Sequence, residues 1–170
     1  MKYFSISEML KSDTAVKRGL WNGANLEVEE NLRALVEQVL DPLRERYGKP
    51  IRVTSGYRCP KLNTLVGGSP NSQHMKGEAA DIVGSPIGVG DCGSKPAMRE
   101  AGSIAPNNVI AGKDPRSPNP EGNLLLGKLI EQLGNFDQLI YEQCDKQGNP
   151  RWIHVSWRRN GWNRKQVLYR

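Results

Sequence analysis

The chain predicts a single α+β domain, a small antiparallel sheet with flanking helices, on three observations. Apolar residues recur at helical spacing in the first third. Two β-rich runs separated by a turn-forming stretch lie near the C-terminal end. The 170 residues are 37% hydrophobic, enough for one core, and contain no apolar run near the ~20 residues that a transmembrane helix needs. Helices set beside an antiparallel hairpin are the pattern of an α+β fold.

Taken in order, Ser5 followed by Glu8 reads as the capped start of a helix from Ser5 to Ser12. Leu32, Leu35, Val36, Val39 and Leu40 then mark one face of a helix running from Leu26 to Tyr47. Pro42 falls inside that pattern and predicts a kink or a split, because proline has no N–H to give the helix. Gly48-Lys49-Pro50 ends it, and Ile51-Arg52-Val53-Thr54 starts a strand. Leu62 to Val66, just after Pro60, predicts a short helix, and Gly67-Gly68-Ser69-Pro70-Asn71 a loop. His74 leads through a tight turn at Gly77 into a strand carrying Asp81.

From about 84 to 123 the chain is rich in glycine and proline, a length uncommon for a loop in a compact domain, and we expect a flap near a cleft mouth with a helical turn at Pro96 to Ala101. Motifs on both sides of it serve one site, so residues 1–170 form one domain with an insertion. Leu124 to Leu133 predicts a helix. Phe136 to Glu142 and Trp152 to Trp157 predict a β-hairpin, and Gln166 to Tyr169 a short terminal strand. In the second hairpin strand Ile153, Val155 and Trp157 share the face expected to meet the core, while Trp152, His154 and Ser156 share the other.

The chemistry centres on the two histidines that the sequence possesses, His74 and His154, together with Asp81. Imidazole nitrogens and a carboxylate oxygen are ordinary zinc ligands, and three of them with one open position describe a catalytic zinc site. An H-x6-D spacing alone is weak. The longer pattern S-x-H-x-x-G-x-A-x-D, fulfilled from Ser72 to Asp81, is preceded by Ser55-Gly56-Tyr57-Arg58 and followed by Trp152-Ile153-His154. In that order these motifs resemble the zinc DD-carboxypeptidases of the VanY type, the L-alanyl-D-glutamate endopeptidases used as phage lysins, and the hedgehog fold with the same metal cradle. The resemblance covers residues 51 to 83 and 136 to 157. It implies a hedgehog/DD-peptidase-like fold, Zn2+ held by His74, Asp81 and His154, Arg58 near the substrate, and peptidoglycan stem peptides as that substrate, cut either at a terminal D-residue or at an internal bond.

One position departs from the pattern. Many relatives carry an acidic general base three residues before the last histidine, where this chain has Arg151. With the hairpin turn centred near Gly148, Glu142 falls opposite His154 on the same face, with Cβ atoms roughly 5 Å apart, and becomes the expected general base. A register slip of one residue would turn one of the two side chains away. The planar fork of Arg58 suits a substrate carboxylate, and the alternative is an arginine paired with an acidic neighbour. Tyr57, Ser72 and Gln73 are expected along the cleft, and Trp152 either walls it or packs on His154.

A net charge of +6 attracts anionic polymers in general. The basic run from Arg158 to Lys165 includes Trp162, a composition compatible with nucleic acid, but no nucleic-acid module surrounds it and no specific nucleic-acid partner is expected. Cys59, Cys92 and Cys144 are too few for a disulfide framework, and Cys144 is read as a half-buried packing residue rather than a ligand. Without a G-x-S-x-G elbow, serine hydrolysis is disfavoured. Met1 to Leu10 lacks the apolar core of a secretory signal, so cytoplasmic synthesis of a monomer, acting at the cell wall after release, is the expectation. The competing readings are a noncatalytic zinc domain that binds peptidoglycan or a protein, and a polyanion-binding module.

Overall fold

The computed structural model describes residues 1–85 and 119–170. Ser5 and Ser12 each offer a hydroxyl to the N–H three residues on, Glu8 and Ala15. Each serine therefore caps a helix of its own, and the single helix expected here is two: α1 (Ile6–Leu10) and α2 (Asp13–Lys17). The long amphipathic run starts on Asn25, whose side chain accepts the Val28 N–H, and forms α3 (Leu26–Leu35), a π-helical segment (Val36–Leu40) and α4 (Asp41–Tyr47). Pro42 does split the pattern. The wide π turn lies immediately ahead of it, so the proline enters in the first turn of α4, where its missing N–H costs least. The Asp41 carboxylate accepts the N–H groups of Lys2 and Tyr3 and fastens the N-terminus there. Gly48, at φ 71°, ends the helix in the left-handed conformation.

The remaining elements are β1 (Ile51–Ser55), α5 (Pro60–Leu65), a 3-10 turn (Gln73–Lys76), β2 (Ala79–Gly84), α6 (Pro120–Leu133), β3 (Gln138–Glu142), β4 (Trp152–Ser156) and β5 (Gln166–Tyr169). Helix α6 begins inside the stretch that reads as an insertion, because Asn119 caps it and Pro120 opens it. The expected flap and the helical turn at Pro96 to Ala101 lie outside the described residues. Among the described residues no helix is long and apolar enough to cross a membrane.

The strands form one sheet in the order β1-β2-β4-β3-β5. It is not wholly antiparallel as expected: β5 runs parallel to β3. The chain leaves β4 beside the start of β3 and turns around Asp137, whose N–H donates to the Ser156 carbonyl and whose carbonyl accepts the Gln166 N–H. That turn lays β5 on the outer edge of β3, where the Tyr169 ring stacks on Tyr141 with centroids 4.6 Å apart.

The two sheet faces divide the labour. Ala80, Ile82, Leu139, Tyr141, Ile153 and Val155 pack into one core with residues of α3, α4 and α6, and Trp157 lies partly buried against it. Buried Asn123 ties three segments together by accepting the Gly84 N–H and donating to the carbonyls of Pro150 and Arg151. The opposite face, with Asp81, Gln138, Ile140, Glu142, Trp152 and His154, lines a cleft.

The hairpin register corrects one expectation. Glu142 pairs with Trp152, and the residue opposite His154 is Ile140. The Asp145 carboxylate accepts the N–H groups of Gln147 and Asn149, and its carbonyl accepts that of Gly148, so the turn centres on Gln147 rather than Gly148. Moving the centre by one residue moves the pairing by two, which keeps Glu142 on the same face as His154 but displaces it along the strand.

Candidate metal centre

The 3-10 turn carries His74, β2 carries Asp81 and β4 carries His154. Strands β2 and β4 are neighbours with Asp81 directly opposite His154, so their side chains rise from the same face as a cross-strand pair. Gly77, at φ 71°, closes the turn and brings His74 back over that pair. Its Cα lies so close to α3 that a Cβ would sit 2.6 Å from the Val28 carbonyl oxygen.

Three donor atoms converge there. His74 Nε2 and His154 Nδ1 are 3.2 Å apart, His154 Nδ1 and Asp81 Oδ1 2.9 Å, and His74 Nε2 and Asp81 Oδ1 3.2 Å. All three residues are buried. Ligand bonds of about 2.0–2.1 Å in tetrahedral directions place donor atoms about 3.3 Å apart, so the triangle fits one face of a tetrahedral metal site. The protonation pattern agrees. His74 Nδ1–H donates to the Gly56 carbonyl at 2.7 Å, which leaves the lone pair of a neutral ring on Nε2, pointing into the triangle. Burial alone would raise the Asp81 carboxyl, but positive charge on the side of the two histidines, the place a metal cation would take, holds it well below the usual carboxylate range.

Asp81 Oδ2 is taken by Arg58 Nη2 at 2.6 Å, and Arg58 Nε donates to Ser55 Oγ at 2.8 Å. The fork expected to meet a substrate carboxylate is therefore engaged with a ligand residue, although Arg58 also lines the cleft. Thr54 sits at an irregularity in the β1–β2 ladder, between Val53 and Ser55, and its hydroxyl donates to the Asp81 carbonyl.

The triangle opens onto a cleft of about 1210 Å³. Ser72, Gln73, Trp152 and Glu142 lie on its walls. Gln73 is held by its Nε2 donating to Asp137. Tyr57 is not on the wall: its ring is buried in the core, and its phenol pKa is raised by that burial and then by Cys59. The exposed Arg151 side chain reaches Gln143, leaving Glu142 as the carboxylate on the hairpin side of the cleft. Diagonal strand neighbours such as Glu142 and His154 have Cβ atoms roughly 7 Å apart, which leaves space for a water between carboxylate and metal position. Cys59 and Cys144 are half-buried and lie outside the donor triangle.

Several contributors escaped the sequence reading. Ser55 and the Gly56 carbonyl act through Arg58 and His74, and their place beside Arg58 in the Ser55-Gly56-Tyr57-Arg58 motif was the available signal. Glu78 lines the cleft, and Asp137 is buried behind Arg158 and Arg164, with no spacing in the sequence to announce either.

Comparison with known proteins matches the family model of Peptidase M15 over residues 2–101. The chain belongs to the Peptidase M15 family. A 44-residue segment is 48% identical to the zinc D-Ala-D-Ala carboxypeptidase of Streptomyces albus G, covering 25% of this chain and 17% of that relative. The family match takes in His74 and Asp81, whereas Glu142 and His154 lie beyond it and are joined to the centre by the sheet register.

Proposed function

We propose that the chain is a zinc-dependent peptidase that hydrolyses peptide bonds in bacterial peptidoglycan stem peptides. The observation that carries this reading is the triangle of two imidazole nitrogens and a carboxylate oxygen at the floor of an open cleft, with Glu142 one strand pair away. The matched relative's name supports both the metal and the peptide class. A zinc ion held by His74, Asp81 and His154 supplies a Lewis acid that acidifies water and polarises a carbonyl. The protein's own residues do the rest. The Gly56 carbonyl keeps His74 in the tautomer that offers Nε2, and Arg58 orients the Asp81 carboxylate. Glu142 accepts a proton from the attacking water and returns it to the leaving amine. Trp152, paired with Glu142 in the sheet, walls the cleft beside it.

The test is incubation of zinc-loaded protein with muropeptides of several wall chemotypes, with products read by mass spectrometry and Glu142→Gln as the paired control. A new chain end made by the parent and lost in the control supports the reading, and its position names the bond. The presence of Arg151 where relatives carry an acid favours a second reading, a noncatalytic zinc domain. Absence of product from verified zinc-loaded protein would select it.

A further inference from the structure

We propose that Arg158 and Arg164 form a carboxylate-binding subsite at the end of the cleft where β4 leaves the sheet. It takes a substrate carboxylate lying two to three residues from the bond at the metal centre, and it rests on the peptidase reading above. Asp137 is the post on which both arginines hang. Its Oδ1 accepts from the Arg164 backbone N–H and Nε, each at 3.0 Å, and its Oδ2 from Arg164 Nη2 at 2.7 Å and Gln73 Nε2 at 2.9 Å. Arg158 Nε adds a contact at 3.3 Å.

The burial is one-sided. The Asp137 side chain is 0% exposed, while those of Arg158 and Arg164 are 35% and 43% exposed and line the cleft. The cleft thus meets the guanidiniums, and their counter-charge lies behind them. Each guanidinium carries five N–H donors, and one carboxylate already holding a backbone N–H and an amide cannot satisfy both forks. Lys76 and Glu78 share this part of the cleft, so three cations stand against Glu78 in the cleft and Asp137 behind it, and one positive charge remains. Pinned, planar and partly desolvated guanidiniums are pre-organised for carboxylate recognition. Arg58, tied to Asp81 and only 18% exposed, is the poorer candidate for that task.

The distance selects the substrate. Arg158 follows His154 by four residues, two beyond the end of β4, a backbone separation of up to about 13 Å, which is more than one residue of an extended peptide spans. The terminal carboxylate released by a carboxypeptidase would lie next to the bond being cut. This subsite instead reads an internal or side-chain acid farther along the peptide, as an endopeptidase would.

Two synthetic stem peptides that differ only in one internal carboxylate or carboxamide test it, with binding to zinc-loaded protein measured by calorimetry and cleavage by mass spectrometry. The parent protein is expected to bind the acid about tenfold or more tightly than the amide. Arg158→Gln should bring that ratio close to one, and Arg164→Lys, which keeps the charge but not the fork, to an intermediate value. Thermal unfolding checks that Arg158→Gln stays folded, since Asp137 keeps Arg164 and Gln73, and the lysine variant serves if it does not. Equal binding of both peptides by the parent, no measurable binding of either, or a ratio that survives both substitutions overturns the subsite. Selective binding without cleavage leaves the subsite standing and removes the peptidase reading, while cleavage without selectivity does the reverse.

Discussion

Gly56→Ala probes the link between the fold and the metal centre at one atom. A Cβ at Gly56 would lie 2.2 Å from the Met9 carbonyl oxygen and 2.9 Å from its carbon, both backbone atoms that no rotamer change can move. The segment must therefore retreat from α1. Two bonds go with it: Tyr57 N–H to Met9 O at 2.8 Å, and His74 Nδ1–H to Gly56 O at 2.7 Å. The first is worth about 1 kcal/mol, and forcing an extra carbon into a packed site costs about 1–3 kcal/mol. The sum, about 2–4 kcal/mol, lowers the Tm of a chain of this size by roughly 4–16 °C. The second bond acts on the metal instead, because it holds the lone pair of His74 Nε2 in place, and such an orienting bond is typically worth about 10–100-fold in metal affinity. Circular dichroism melting in chelator reads the first effect, and zinc competition against a chromophoric chelator reads the second. An unchanged melting temperature would refute the close approach to Met9. Lower stability with undiminished zinc affinity would refute the role given to the Gly56 carbonyl.

Other expectations concern separate parts of the molecule. Glu142→Gln should lower the rate of hydrolysis about 10²–10⁴-fold while zinc stays bound, whereas His154→Ala should lose zinc in the same chelator competition. Burial would raise the Asp137 carboxyl, but Arg164, Gln73 and Arg158 hold it at about 2, below the 3.8 of an unperturbed group. Its contribution, about 2 kcal/mol, is therefore fully present above about pH 4 and fades as pH falls through about 2. Urea unfolding at about pH 5 and about pH 2 should show a larger loss for the parent than for Asp137→Asn. Asn123→Leu orphans a buried N–H and two carbonyls and should cost about 2–4 kcal/mol by urea denaturation, without touching a metal ligand.

Local signals made most elements legible. The Ser5 cap, the helical spacing from Leu32 to Leu40, Gly48 after Tyr47 and the alternation around His154 all act within a few residues, and each appears in the fold where it was read. The errors arose where two competing arrangements suit the same residues. Ser12 had a second helix to cap, and Asp145 gathered the hairpin turn around Gln147. Tyr57 lies in a ligand-rich motif, yet its ring packs into the core because α1 draws its backbone toward Met9.

The sequence by itself determined the α+β class and the face on which Glu142 stands, because strand alternation is a property of neighbouring residues, and the resemblance of its motifs named His74, Asp81 and His154 as candidate donors. The tertiary structure alone decided what each charge does. Arg58 is spent on Asp81, Asp137 is sealed beneath Arg158 and Arg164, and Glu142 stands one pair along from His154 rather than opposite it. Those outcomes depend on ladder register and on which carboxylate is cut off from water, and both are settled only when strands distant in the chain meet.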